Sequence, residues 1–193
     1  MKKATIALLL ICGAVFAQQK GSFTDTRDKK TYKTVKIGKQ TWMAENLNYK
    51  LKDSKCYEDD ESNCQKYGRL YYLNMALKAC PKGWHLPNKT EWEAMTTYVG
   101  GTGTDGKKLK SSSGWNEDGN GTDEFGFSAL PGGNGYLVDG FDYVGIGYSG
   151  RWWSANDGED NGNYYYSMDY NIESTSLRST YESELFSVRC LKN

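Results

Sequence analysis

The residues able to do chemistry fall into short clusters. Gly101-Thr102-Gly103-Thr104-Asp105-Gly106-Lys107-Lys108 has the glycine spacing of a dinucleotide fingerprint and comes close to a phosphate-binding loop. Such loops follow a strand and open a helix whose N-terminus holds the phosphate. This one follows a predicted helix, and Lys108 stands where a phosphate loop needs a magnesium-binding hydroxyl. It reads as a turn. Asp118-Gly119-Asn120-Gly121-Thr122-Asp123 places oxygen side chains at alternate positions, like the start of a calcium loop. An EF-hand needs Gly where Asp123 stands and Glu where Ala129 stands, so that site is excluded. A looser oxygen cage for Ca2+ competes with the turn-forming habit of Asn-Gly and Asp-Gly pairs. The same choice applies to Asn156, Asp157, Glu159, Asp160 and Asn161.

His85 is the sole histidine, which excludes multi-histidine metal sites and makes any Ser-His-Asp triad depend on it alone. It alternates with Trp84 and Leu86, so a structural role is expected. Glu91, three residues after Asn88, fits a capping box better than a catalytic acid. Paired carboxylates for glycosidic cleavage are not singled out by any pattern. The aromatic residues carry more information. Tyr136, Phe141, Tyr143, Tyr148, Trp152 and Trp153 crowd into a stretch rich in Gly, Asn and Asp. Aromatic faces stack on sugar rings while Asn and Asp bond their hydroxyls, which suits a carbohydrate or peptide surface. Trp152-Trp153 read instead as core strand. The ligand contacts singled out are Trp115, Asn120, Asp123, Tyr136, Tyr148 and Asp157; no catalytic residue is assigned, and a metal ligand set is left unassigned.

Lys2-Lys3, the apolar run Ala4 to Phe16 and the small-residue signal Val15-Phe16-Ala17 read as a cleaved export leader over residues 1–17. The run is too short to be a good membrane span. Cys12 follows Ile11, so lipid attachment is not expected. The 193-residue chain balances 24 basic against 24 acidic side chains, and no charge pattern points to nucleic acid or a membrane surface. Residues 18–193 are expected to form one domain. An oxidising compartment makes Cys56, Cys64, Cys80 and Cys190 candidates for disulfides, with three connectivities open. Cys56 and Cys64 flank a short polar loop; pairing them leaves Cys80 with Cys190, which is the favoured pattern.

These features need elements to place them. Residues 18–50 read as a β-hairpin segment, with strands over 31–37 and 40–44 about a Gly38-Lys39 turn. A helix over 71–79 follows from Tyr72, Met75, Ala76 and Ala79, and Pro81 stops it just past Cys80. Trp84-His85-Leu86 is extended. A second helix starts at Asn88, turns Trp92, Met95 and Val99 inward and ends at Gly100-Gly101. The long region 100–162 holds most of the 22 glycines, so strands within it must be short. Strands are expected at 125–130, 151–155 and 164–170, the last with Tyr164, Tyr166, Met168 and Tyr170 on one face. Phe186, Val188 and Cys190 share a buried face at the end.

Several ordered motifs carry a family resemblance: Phe23-Thr24-Asp25-Thr26-Arg27-Asp28, Gln40-Thr41-Trp42-Met43-Ala44-Glu45-Asn46-Leu47, Cys80-Pro81-Lys82-Gly83-Trp84-His85-Leu86-Pro87, Gly126-Phe127-Ser128-Ala129-Leu130-Pro131-Gly132-Gly133, Trp152-Trp153-Ser154-Ala155 and Phe186-Ser187-Val188-Arg189-Cys190. Together they resemble the Fibrobacter succinogenes major paralogous domain, over nearly the whole mature chain. The resemblance implies an α+β, C-type lectin-like fold: twisted antiparallel sheets, two short helices and a long Gly/Asn-rich loop region. Sugar-binding C-type lectins hold calcium through Glu-Pro-Asn or Gln-Pro-Asp and Trp-Asn-Asp triplets. This chain has neither, so calcium-dependent sugar binding is not implied. Formylglycine-generating enzymes share that fold class, but their active cysteines have no counterpart here.

The expected function is an exported, non-catalytic module binding polysaccharide or a surface protein through residues 100–162, whether secreted, periplasmic or held at the cell surface. A structural surface or matrix component is the main alternative, and a formylglycine-generating-enzyme-like activity a weaker one. No cofactor is expected, with Ca2+ left open.

Overall fold

The computed structural model describes residues 19–101, 103–137, 141–156 and 162–193. The expected leader, residues 1–17, lies outside them. In chain order the elements are β1 (Gln19–Thr24), β2 (Thr31–Ile37), β3 (Gln40–Met43), a 3-10 turn (Tyr57–Asp59), α1 (Glu61–Tyr67), β4 (Leu70–Tyr71), α2 (Leu73–Ala79), β5 (Trp84–His85), α3 (Lys89–Tyr98), α4 (Asp105–Leu109), β6 (Gly132–Leu137), β7 (Phe141–Ile146), β8 (Ser149–Ser154), β9 (Asn163–Asp169), β10 (Ser176–Thr180), β11 (Glu184–Ser187) and β12 (Leu191–Lys192). The architecture is mixed α+β, built on antiparallel pairing with few short helices.

One sheet has the order β1-β2-β3-β12-β5, so its last two strands bring Leu191 opposite both Trp42 and His85. The other runs β10-β9-β8-β11-β6-β7, with β4 added against β11. Parallel contacts of β8 with β11 and β6 are its exceptions to antiparallel pairing. Gly38 takes φ +59 in the β2–β3 turn, a left-handed conformation that glycine adopts without penalty.

Successive residues of the central strands serve different cores. Trp42, Trp152, Tyr166 and Met168 join Trp92, Met95 and Val99 of α3 in one core; Met43, Trp153 and Tyr165 join Ala76 and Ala79 of α2 in the other. Side chains alternate across a strand, so a pair such as Trp152-Trp153 fills both cores at once. Trp92 stacks on Tyr166 at 4.8 Å between ring centroids, and Trp153 meets Phe186 at 4.5 Å. Each such buried aromatic contributes on the order of 2 kcal/mol. In β2 the buried face changes sides between Thr34 and Val35, with Tyr32 in the second core and Val35 and Ile37 in the first.

Both expected disulfides form. Cys56–Cys64 closes the polar loop, and Cys80–Cys190 joins residues 110 apart in sequence. The expected helices are α2 and α3, and α3 carries the full capping box between Asn88 and Glu91. Helices α1 and α4, seven and five residues long, are additional. Strand β1 makes the expected hairpin a three-stranded meander.

The expected strand at 125–130 is instead irregular. Gly126 at φ +69 and Ser128 at φ +53 break the extended path, and Asp123 accepts hydrogen bonds from both the backbone N–H and the hydroxyl of Ser128. The C-terminal strand material is split: β11 stops at Ser187 and β12 resumes at Leu191. Between them the Val188 and Cys190 carbonyls accept from the N–H groups of Leu47 and Met43. Phe186, Val188 and Cys190 are all buried as expected.

Replacing Cys80 and Cys190 by Ser should lower stability by about 2–5 kcal/mol, because the bond closes a long loop; urea denaturation of the oxidised double variant checks this. Burial raises the pKa of Tyr32 to about 12 and lifts Tyr71, Tyr143 and Tyr166 above their ordinary 10.0. A raised folded pKa means that the native state holds these protons more tightly. The stability they contribute is therefore present below pH 10 and lost as pH rises through the folded values. Tyrosinate absorbance should rise for these groups together with unfolding; a smooth rise in a protein that stays folded would contradict their burial.

Candidate functional site

The residues picked out as ligand contacts do not form one surface. Trp115 is 4% exposed, and its indole N–H donates to the Ala129 carbonyl at 3.0 Å and to Ser111 Oγ at 3.2 Å. It is a core residue, which corrects its assignment as a contact. Asn120 is exposed, but its Oδ1 accepts from the Trp115 backbone N–H at 3.0 Å. Asp123 is half-buried, with both carboxylate oxygens on Ser128 at 2.7 and 2.6 Å. Asn120 and Asp123 thus pin loop backbone with the same oxygens that a calcium cage would use. Asp157 lies outside the described residues.

Tyr148 is 40% exposed and stands edge-on to Tyr170, with ring centroids 5.3 Å apart. The backbone fixes this pair, because the Tyr170 N–H donates to the Tyr148 carbonyl at 2.8 Å. Tyr170 also borders a pocket of about 240 Å³ lined by Lys107, Glu117, Asp118, Asn120, Asn171 and Glu173. Lys110 helps line it, largely buried, with Nζ donating to the carbonyls of Asp169 (3.0 Å), Tyr170 (3.4 Å) and Ile172 (3.1 Å) and lying 5.0 Å from the Trp115 ring. Burial pushes its pKa down from the ordinary lysine value. A protein ammonium thus occupies the ring of carbonyls beside this pocket.

The stretch expected as a turn over residues 101–108 is helix α4 from Asp105 onward, and its lysines have structural work. Lys107 pairs with Glu173 at 2.6 Å, and Lys108 Nζ donates to the Val99 carbonyl at the end of α3. Gly121 is packed against the backbone of Lys107 and Lys110 with no room for a Cβ. Asp105 is buried and takes the hydroxyl and N–H of Thr175. These contacts tie α4 to the turn at residues 173–175.

Tyr136 belongs to a different surface. It is half-buried on β6, and its hydroxyl donates to Asp142 Oδ2 at 3.0 Å. Sequence reasoning missed its neighbour Glu184, which lies directly opposite it on β11 and accepts from Asn134 Nδ2 at 3.2 Å. No spacing signal links residues fifty apart, so pairing register alone reveals them.

His85 and Glu91 act as scaffold. Glu91 Oε2 accepts from the Asn88 N–H while Oε1 lies 2.8 Å from His85 Nε2; His85 Nδ1 lies 2.7 Å from Asn193 Oδ1. The imidazole links β5, the start of α3 and the end of the chain. Cys56, Glu61 and Cys64 also converge, but both sulfurs are spent in the disulfide.

Residues 35–192 match the family model described as the Fibrobacter succinogenes major domain. No curated protein and no solved structure matches the chain. Among the described residues no helix is long and apolar enough to cross a membrane.

Trp115→Phe should lower stability by about 1–3 kcal/mol, since it removes the buried indole hydrogen bonds to the Ala129 carbonyl and Ser111 Oγ and leaves a gap where the larger ring packed. Thermal unfolding measures this, and a neutral effect would contradict the indole's structural role.

Proposed function

We propose, from the premise that this chain belongs to the Fibrobacter succinogenes major domain family, that it is an exported, non-catalytic module binding polysaccharide or surface protein through its 100–162 region. The observation that carries this reading is the Tyr148–Tyr170 pair, whose Tyr170 borders a polar pocket. An exposed ring held by the backbone offers apolar area at little cost in conformational freedom. Carboxylates, amides and a lysine beside it offer both acceptors and donors. This mixture suits a ligand with alternating apolar and hydroxyl or amide faces.

A C-type lectin-like architecture is part of the same reading. It is supported by the long 80–190 staple and by the two helices that flank it. Export is supported by the leader-like N-terminus and by two disulfides, which persist in oxidising compartments. Calcium enters this proposal only as a test condition, because Asn120 and Asp123 already spend oxygens on backbone N–H groups.

Tyr148→Ala should weaken ligand retention by about tenfold with little change in melting temperature, as expected for loss of an exposed contact. Pull-downs on immobilised polysaccharides and on cell-surface protein, with calcium and with chelator, measure it. Failure of the wild-type chain to retain either class would sink the proposal.

A further inference from the structure

A separate cavity of about 330 Å³ opens at the β1 end of the five-stranded sheet, lined by Lys20, Gly21, Lys33, Ala44, Gly126 and Ser128. It shares no lining residue with the pocket beside Tyr170. Strand register brings its two lysines together. Lys20 stands opposite Val35, and Ser22 opposite Lys33, on the β1–β2 pair, so Lys20 and Lys33 are diagonal neighbours on one face. Ala44 continues that face one step beyond the Thr34–Met43 pair, its N–H donating to the Lys33 carbonyl at 2.8 Å. Gly126 and Ser128 supply the facing wall. Arg189 holds that wall in place by donating to the Phe127 and Ser128 carbonyls.

Both lysines are exposed, and neither ammonium has a partner among the described residues. Among those residues no carboxylate lines the cavity. The acids of the adjoining segments are engaged elsewhere: Glu45 Oε2 accepts the Lys33 backbone N–H at 2.6 Å, and Asp123 takes the N–H and hydroxyl of Ser128. Two like charges therefore share one opening with nothing between them. An anion placed there relieves their repulsion and gains attraction to both.

We propose that this cavity is a subsite for an anionic sugar unit, a hexuronate of an acidic polysaccharide. Its volume lies at the small end of the roughly 300–1,000 Å³ of ligand pockets, which suits one sugar ring. A free carboxylate, or an acidic side chain on a peptide, would leave most of it empty. The sugar carboxylate meets Lys20 and Lys33, whose flexible stems and three ammonium donors each adapt to it without a fixed geometry. Ser128 Oγ already donates to Asp123 and keeps lone pairs to accept from a ring hydroxyl. Ala44 and the glycines give short, uncharged walls for the ring. The subsite uses no residue of the Tyr148–Tyr170 rim and adds acidic glycans to the ligands of the binding module.

Calorimetric titration of the full mature chain with trigalacturonate at low ionic strength tests it, alongside cellotriose, sodium acetate and a hexaglutamate peptide. Trigalacturonate should bind more tightly than the other three, and more weakly as salt is raised. Lys20→Gln and Lys33→Gln should each weaken it about three- to fivefold, the size of an exposed ion pair, and the double variant about tenfold. Lys36→Gln, an exposed β2 position outside the cavity, changes net charge equally and should leave the affinity unchanged. The substituted lysines are exposed, so the variants should fold, and melting curves check this. Lysine variants that bind like wild type overturn the subsite. So does a wild type that binds no trigalacturonate, an equal loss in Lys36→Gln, or equal binding of acetate or the peptide. Loss in Tyr148→Ala with the lysine variants unaffected places the acidic glycan at the rim, so the subsite falls and the binding-module reading stands. Binding that depends on the two lysines and is unaltered in Tyr148→Ala supports the subsite even where the rim proposal fails.

Discussion

The fold depends on one buried charge and the amide that receives it. Arg189 is 0% exposed, yet among the described residues it has no direct ion pair. Its guanidinium donates to Asn46 Oδ1 through Nε (3.1 Å) and Nη2 (2.9 Å), to the Phe127 carbonyl through Nη1 and to the Ser128 carbonyl through Nη2, and it lies 4.2 Å over the Phe127 ring. Burial pushes its pKa down to about 9, with the charges of Asp123 and Glu45 acting the other way, so it stays charged at neutral pH. Asn46 completes the junction: its Oδ1 also accepts from the Trp152 indole at 2.8 Å, and its Nδ2 donates to the Tyr67 carbonyl and Ser187 Oγ. Stranding such a buried charge costs about 3–5 kcal/mol. The segment after β3, the end of α1, β8, the C-terminal segment and the 123–128 loop therefore meet at a single point.

That junction explains why 123–128 is not a strand. A strand would turn its carbonyls into a ladder; here the Phe127 and Ser128 carbonyls are needed by Arg189. The left-handed turns at Asp123, Gly126 and Ser128 deliver them. The Cys80–Cys190 bond fixes the neighbouring residue covalently, so a hydrogen-bonded clamp and a covalent one act side by side on the last strand region. Two cores can then share the intervening strands, one under α3 and one under α2.

With the scaffold fixed in this way, most polar loop residues have structural partners. Asn120, Asp123, Asp105 and Lys108 hold backbone, Lys107 pairs with Glu173, and Lys110 fills a ring of carbonyls. The surface left for recognition is narrower than the composition of residues 100–162 suggests. The exposed ring and the polar pocket that remain in the described part of it are those at Tyr148 and Tyr170. Tyr148 and Tyr170 stand at strand ends, whose positions the ladders set, while the pocket is lined by α4 and by the loops at 117–120 and 171–173.

Local chemistry was legible in the sequence. Asn88 and Glu91 announced a capped helix, Pro81 its predecessor's end, the polar loop between Cys56 and Cys64 a short disulfide, and the long motifs a family. Each of these depends on neighbours in sequence or on compartment. Tertiary structure decided what depends on register and on competition for partners. Trp115 looked like an exposed ring because its loop is rich in glycine, yet the Ala129 carbonyl draws it inward. Glu184 carried no signal, because its meaning comes from lying across from Tyr136. Arg189 read only as part of a motif; that it is the buried centre follows from five segments converging on Asn46, which no local pattern encodes.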